Sequence, residues 1–137
     1  MSNPNRTILI VEDDMVDVMT IKRAVGQLGI TNPLHVESNG EEALHYLNTV
    51  DELPGLVILD LNMPKMNGTE FLKHIREDDR YKSLPVVVLT TSKEQQDKLN
   101  TFNLFISGYM IKPVDFSQFK DMVRTIHHYW ELSELPY

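Results

Sequence analysis

Carboxylates at the ends of apolar runs are the groups in this sequence best suited to chemistry. Val57-Ile58-Leu59 leads straight into Asp60 and then into Leu61-Asn62-Met63-Pro64, while Ile8-Leu9-Ile10-Val11 leads into Glu12-Asp13-Asp14. A buried-type strand that ends in an acid delivers that acid to the rim of a sheet, where α/β folds place their chemistry. If the two strands are neighbours, three or four carboxylates share one pocket. Unit charges about 4 Å apart repel by roughly 4 kcal/mol at an effective dielectric near 20, so such a cluster calls for a cation or a shared proton. Oxygen-only ligands select a hard divalent ion, and Mg²⁺ is the best match.

Two further runs end in useful groups. Val86 to Leu89 closes on Thr90, and Tyr109 to Ile111 closes on Lys112-Pro113. A carboxylate nucleophile can accept a phosphoryl group, and a divalent ion can bridge carboxylate and phosphoryl oxygens. A lysine ammonium offsets further negative charge as a point cation, and a threonine hydroxyl can sense the new group by a hydrogen bond. The set is suited to phosphoryl transfer onto Asp60.

Bringing these groups together needs a particular order of elements. Apolar runs at Ile8 to Val11, Leu34 to Val36, Leu56 to Leu59, Val86 to Leu89 and Tyr109 to Ile111 alternate with longer, helix-patterned segments. Five strand and helix pairs in strict alternation predict an α/β fold, a five-stranded parallel sheet with helices on both faces. Asn67 with Glu70, Ser92 with Gln95, and Asp115 with Gln118 have capping-box spacing at three helix starts. Asp14 reads as a capping or solvated acid, and Asp17, one turn along, as surface charge. Gly29, Asn32-Pro33, Asn39-Gly40, Pro54-Gly55, Leu84-Pro85 and Ser107-Gly108 read as turns.

Composition narrows the function. At 137 residues the expectation is one domain, 1–137 with its core at about 6–130, and no output domain. Thirteen Lys and Arg against 20 Asp and Glu leave a net charge of -7, with no basic run, which argues against direct nucleic-acid binding. There is no cysteine, hence no disulfide scaffold or thiolate metal site. No apolar stretch reaches the roughly 20 residues of a membrane span, and the expected setting is the cytoplasm. The five histidines show no metal spacing with acids, and His127-His128 reads as a surface pair on the last helix.

The acidic pair Glu12-Asp13, the segment Asp60-Leu61-Asn62-Met63-Pro64-Lys65-Met66-Asn67-Gly68, Thr90, and Tyr109-Met110-Ile111-Lys112-Pro113 together resemble a response-regulator receiver domain of a two-component system over nearly the whole chain. The resemblance implies a flavodoxin-like (βα)5 doubly wound sandwich. It implies Asp60 as phospho-acceptor, with Lys112 and Thr91 beside the phosphoryl group. Mg²⁺ would be held directly by Asp13 and Asp60, through water by Glu12, and by the backbone carbonyl of Asn62. Thr90 and Tyr109 would form the switch pair, and the Lys112–Pro113 bond would be cis. A histidine kinase or histidine phosphotransfer protein would be the donor, and a downstream protein the target. A homodimer through the last two helices and the fifth strand is a further expectation.

A closer likeness is to small stand-alone receivers of the cyanobacterial phytochrome-partner type. It rests on Leu84-Pro85-Val86-Val87-Val88-Leu89-Thr90-Thr91-Ser92, Lys112-Pro113-Val114-Asp115 and His128-Tyr129-Trp130. Ser92, two past the switch threonine, cannot place a carboxylate or amide near attacking water, so the phospho-form is expected to outlive that of fast-cycling chemotaxis-type receivers. Phe105 departs from the family, which usually has Gly there, so the helix after the fourth strand is expected to end differently. Phe116, Phe119, Val123, Ile126 and Trp130 form an apolar stripe on the last helix. Leu99, Phe102, Phe105, Tyr109 and Trp130 are expected to leave an aromatic patch outside the core, suited to a partner or a second copy of the chain.

Other classes fit less well. A hydrolytic phosphatase working through an aspartyl phosphate typically has a second acid two residues after the nucleophile, where this chain has Asn62. A flavodoxin-like cofactor binder needs a phosphate-cradling first loop, and Glu12-Asp13-Asp14 would repel a phosphate. A receiver-shaped module that works without phosphorylation would lack the acceptor, the acidic pair or the lysine, all of which are present.

Overall fold

The computed structural model describes residues 6–61, 66–90, 106, 108–113 and 115–132, with the side chains of Thr90, Tyr109, Glu131 and Leu132 left out. Its strands are β1 (Ile8–Val11), β2 (Leu34–Glu37), β3 (Leu56–Asp60), β4 (Val86–Thr90) and β5 (Gly108–Ile111). Among the described residues the helices are α1 (Met15–Gln27), α2 (Gly40–Thr49), α3 (Gly68–Glu77) and α4 (Phe116–Leu132). The strands form one parallel sheet in the order β2-β1-β3-β4-β5. This is a doubly wound flavodoxin-like arrangement.

Alternation along the strands sends side chains to opposite faces. Leu9, Val11, Val57, Leu59, Val86 and Val88 pack against Ala43 and Leu47 of α2 and Phe71, Leu72 and Ile75 of α3. Ile8, Ile10, Leu56, Ile58, Val87 and Leu89 pack on the other face against Ile21, Ala24 and Val25 of α1 and the α4 stripe. Burial on both faces is why these strands read as unbroken apolar runs. At the sheet edge β2 is only half-buried, and His35 stacks on Tyr46 with ring centroids 3.9 Å apart.

The α4 stripe packs as its periodicity predicts, but Trp130 does not contribute to an exposed patch. It is 3% exposed and donates from Nε1 to the Gly55 carbonyl at 3.1 Å. Gly55 makes the room, since a Cβ there would sit 2.6 Å from both the Trp130 ring and Arg6 Cγ. His127 is likewise not a plain surface residue, because its ring meets Trp130 edge-on at 6.0 Å. Leu99, Phe102, Phe105 and the Ser92 cap lie outside the described residues.

Caps behave as their sequences suggest. Asn67 accepts from the Glu70 amide at 3.0 Å while Glu70 accepts from the Asn67 amide at 3.4 Å, a reciprocal capping box at the start of α3. Asp115 accepts from the amides of Ser117 and Gln118 before α4. Past the end of α1, Gly29 takes a φ of 70°, the left-handed conformation that suits a residue without Cβ. No helix among the described residues is long and apolar enough to cross a membrane.

Candidate functional site

Sheet register builds the site. β1 and β3 pair with Val11 opposite Leu59, so the next residue of each strand, Glu12 and Asp60, come to lie side by side at the carboxyl edge. Here the sheet order turns back, with β2 on one side of β1 and β3 on the other, which is where doubly wound folds bind ligands. Asp60 also pairs with Leu89, and Thr90 with Ile111, which brings the ends of β4 and β5 to the same edge. Lys112 follows directly on β5.

The predicted carboxylates do converge. Glu12, Asp13 and Asp60 each offer an oxygen, and these lie within 4.8 Å of one another. Glu12 is 2% exposed and Asp60 4%, whereas Asp13 is exposed at the mouth. Lys112 joins them, with Nζ 2.9 Å from Glu12 Oε1 and 3.6 Å from Asp60 Oδ1. Gly68 lets α3 start hard against the end of β3, its amide donating to the Leu61 carbonyl at 3.2 Å.

Electrostatics follow from this crowding. Burial first, and the hydrogen bond to Asp60 second, push the Glu12 carboxyl up against the lowering effect of Lys112, to about 8 in all. Burial alone would lower the Lys112 ammonium, but hydrogen bonds to Asp17 and Glu12 and the charges of Asp60 and Glu12 outweigh it and hold Lys112 above its ordinary value. Even with a proton held on Glu12, the carboxylates of Asp13, Asp17 and Asp60 outnumber the one lysine and leave the pocket short of positive charge. All-oxygen donors, close-set and negative in excess, fit a hard divalent cation.

Two readings need correction, and several residues lie outside those described. Asp17 is not plain surface charge: its Oδ2 lies 2.7 Å from Lys112 Nζ. Asp14 is the N-cap of α1, accepting from the amides of Val16 and Asp17, as expected of a capping acid. The Lys112–Pro113 bond is not cis, since no cis peptide occurs among the described residues; in an X–Pro tertiary amide trans remains the preferred isomer by about 0.5–1 kcal/mol. Asn62, Thr91 and Ser92 lie outside the described residues, as do the side chains of Thr90 and Tyr109, although Thr90 ends β4 and Tyr109 pairs with Val88 in β5.

The geometry has close parallels. A family model described as the response regulator receiver domain matches residues 8–124. The probable methanogenesis regulatory protein FilR2 of Methanothrix harundinacea is 39% identical over 127 residues, 90% of this chain and 82% of that protein. Response regulator Rcp1 of Synechocystis is 33% identical over 141 residues, 98% of this chain and 96% of its own length. A crystal structure of the Mn²⁺-bound form of Rcp1 superposes with a TM-score of 0.84 at 31% identity, covering 96% of this chain and 99% of that one. The phosphorylated cyanobacterial phytochrome response regulator RcpA gives a TM-score of 0.87 at 32% identity, over 97% and 99% of the two chains.

Proposed function

Because this chain belongs to the response regulator receiver domain family, whose members accept a phosphoryl group on an aspartate, we propose that Asp60 is the acceptor here and that a phosphohistidine on a kinase or phosphotransfer protein is the donor. A carboxylate oxygen of Asp60 forms the new O–P bond as the donor's P–N bond breaks. The leaving imidazole keeps the electron pair. The observation that carries this reading is the convergence of Lys112 Nζ with three carboxylates, two of them buried, at the carboxyl edge of the sheet.

Each residue then has a task. Asp60 is the nucleophile, and the ammonium of Lys112 faces the place where phosphoryl oxygens arrive. Asp13 and Asp60, with Glu12, would hold Mg²⁺, and Asn62 would add a backbone oxygen. When bound, the ion supplies positive charge that offsets the phosphoryl oxygens. Thr90 and Thr91 lie in sequence where a hydroxyl and an amide meet the new group, and Thr90 with Tyr109 forms the switch. A dianionic phosphoryl group biases packings that are already accessible, which changes the surface offered to a downstream protein.

Asn62, in place of a second acid, argues against turnover on outside substrates, so the chemistry is self-phosphorylation and self-dephosphorylation. The working compartment is the cytoplasm, and the likeness to RcpA makes a phytochrome-linked histidine kinase the first donor to test. Ile111 on β5 and Tyr129 on α4 are exposed apolar residues, in keeping with self-association through the fifth strand and adjoining helices. A concentration-independent monomer mass with and without a phosphate mimic would count against that dimer.

The deciding experiment is intact mass after incubation with acetyl phosphate, with and without Mg²⁺, on wild type and Asp60→Asn. A Mg²⁺-dependent gain of about 80 Da, one phosphoryl group on a carboxylate nucleophile, is expected in wild type and not in the variant. A gain that persists in Asp60→Asn would move the acceptor elsewhere. No gain from acetyl phosphate or from a histidine kinase would overturn the phospho-acceptor reading.

A further inference from the structure

Among the described residues, Asp17 holds Lys112 more closely than any other acid does. The separation is 2.7 Å, against 2.9 Å to Glu12 and 3.6 Å to Asp60. Yet Asp17 is not one of the three carboxylates whose oxygens converge for a cation. Its place is set from its own helix, because the Asp14 cap accepts from the amides of Val16 and Asp17 and fixes the first turn of α1, from which Asp17 meets Lys112. Asp17, Lys112 and Phe116 line a cleft of about 340 Å³ between α1 and the start of α4.

A lysine ammonium has three protons to donate. Two are committed to Glu12 and Asp17, and at 3.6 Å the contact with Asp60 is longer than a hydrogen bond. The two committed partners differ in how readily they can be left. The Asp17 side chain is 29% exposed, so water can replace the lysine there. The Glu12 side chain is 2% exposed and would be stranded. A phosphoryl group on Asp60 brings three strong acceptor oxygens and nearly two negative charges.

Resting on the reading that Asp60 is the acceptor, we propose that Asp17 is a positioning residue for that transfer. It holds the Lys112 ammonium on the α1 side of the pocket, and phosphorylation exchanges the Asp17–Lys112 pair for a phosphoryl–Lys112 pair while Glu12 keeps its bond. With acetyl phosphate the Asp60 O–P bond forms as the bond from phosphorus to acetate breaks. Acetate leaves with the electron pair, and no further reactant is needed. Asp17 thereby opposes the phosphorylated state, and its loss favours that state.

The test is calorimetric titration of the full chain with beryllofluoride, a phosphoryl mimic, in saturating Mg²⁺. Wild type, Asp17→Asn, Asp17→Glu, Lys112→Ala and the Asp17→Asn/Lys112→Ala double variant are compared. Asp17→Asn is expected to bind about fivefold tighter, the scale of a partly exposed ion pair. Asp17→Glu, which keeps the charge within reach of Lys112, should return to the wild-type affinity. In the Lys112→Ala background the same Asn substitution should change nothing. An Asp17→Asn affinity equal to wild type would overturn the proposal. So would equal tightening with and without Lys112, which is what plain loss of a negative charge would give. If wild type binds no beryllofluoride yet is folded, the acceptor reading fails and the Asp17 role falls with it.

Discussion

Replacing Gly68 with Ala should damage stability and phosphorylation together. A Cβ at Gly68 would lie 2.5 Å from the Asp60 carbonyl oxygen and 2.7 Å from Leu61 Cα. Both are backbone atoms, so no side-chain rotation relieves the clash. Comfortable carbon contacts are about 3.5–4.0 Å, hence α3 and the end of β3 must separate by roughly 1 Å. Overpacking of this kind costs about 1–3 kcal/mol, and weakening the Gly68 to Leu61 hydrogen bond adds to it. Better helix propensity returns at most about 1 kcal/mol, leaving a net loss of roughly 2 kcal/mol and a Tm lower by about 5–10 °C. The same displacement moves the backbone that carries Asp60, and an error near 1 Å can slow an oriented reaction by up to about a hundredfold. Urea titration and the rate of acetyl phosphate labelling read the two effects. Gly26→Ala is the control, because nothing lies within 4 Å of a Cβ on this exposed α1 residue, and it should stabilise by about 0.5 kcal/mol. A Gly68→Ala protein with an unchanged urea midpoint and unchanged labelling would refute the steric reasoning.

Glu12 gives a pH dependence. Its carboxyl is raised from 4.5 to about 8 by burial and by Asp60, so the folded state binds the proton more tightly than the unfolded chain does. Its contribution is therefore fully present below pH 4.5 and is lost as pH rises through 8. In chelator, Tm should fall between pH 6 and pH 9, and Glu12→Gln should flatten that slope; a rise in wild type would sink the assignment. Trp130→Phe removes the bond to the Gly55 carbonyl and part of a buried ring, and should cost about 2–3 kcal/mol in urea unfolding with Asp60 labelling unchanged. Ser92 lacks a carboxylate or amide, so the phospho-form should persist well beyond seconds after donor removal, and decay within seconds by intact mass would contradict it.

The strands were visible in sequence because burial on both faces makes them continuous apolar runs, and their ends carry the charges. Whether the acids meet depends on the two strands being neighbours, which the sheet order supplies by pairing β1 with β3 and so setting Glu12 beside Asp60. The run Leu34 to Val36 is interrupted by His35, and the strand it marks, β2, is a half-buried edge that continues to Glu37. Asp17 was misread because a first-turn acid already has a local explanation in the helix dipole, while its partner lies 95 residues further along. Trp130 was misplaced for a similar reason. Helical periodicity gives a face, but the notch that buries the ring is made by Gly55, a residue with no side chain to signal it.

That notch also determines what light can report. The chain's one tryptophan sits against Gly55, just ahead of β3, whereas Asp60 is the last residue of that strand. Five residues at about 3.3 Å each separate the two ends by roughly 16 Å. Intrinsic tryptophan emission is therefore a probe of whether the amino edge of the sheet is intact, and is remote from the charge that arrives at Asp60. An unfolding curve read at this fluorophore follows α4 leaving the sheet, while a titration of the acidic pocket read at the same wavelength has little direct signal. An optical assay of site occupancy would need a second chromophore near the mouth of the pocket.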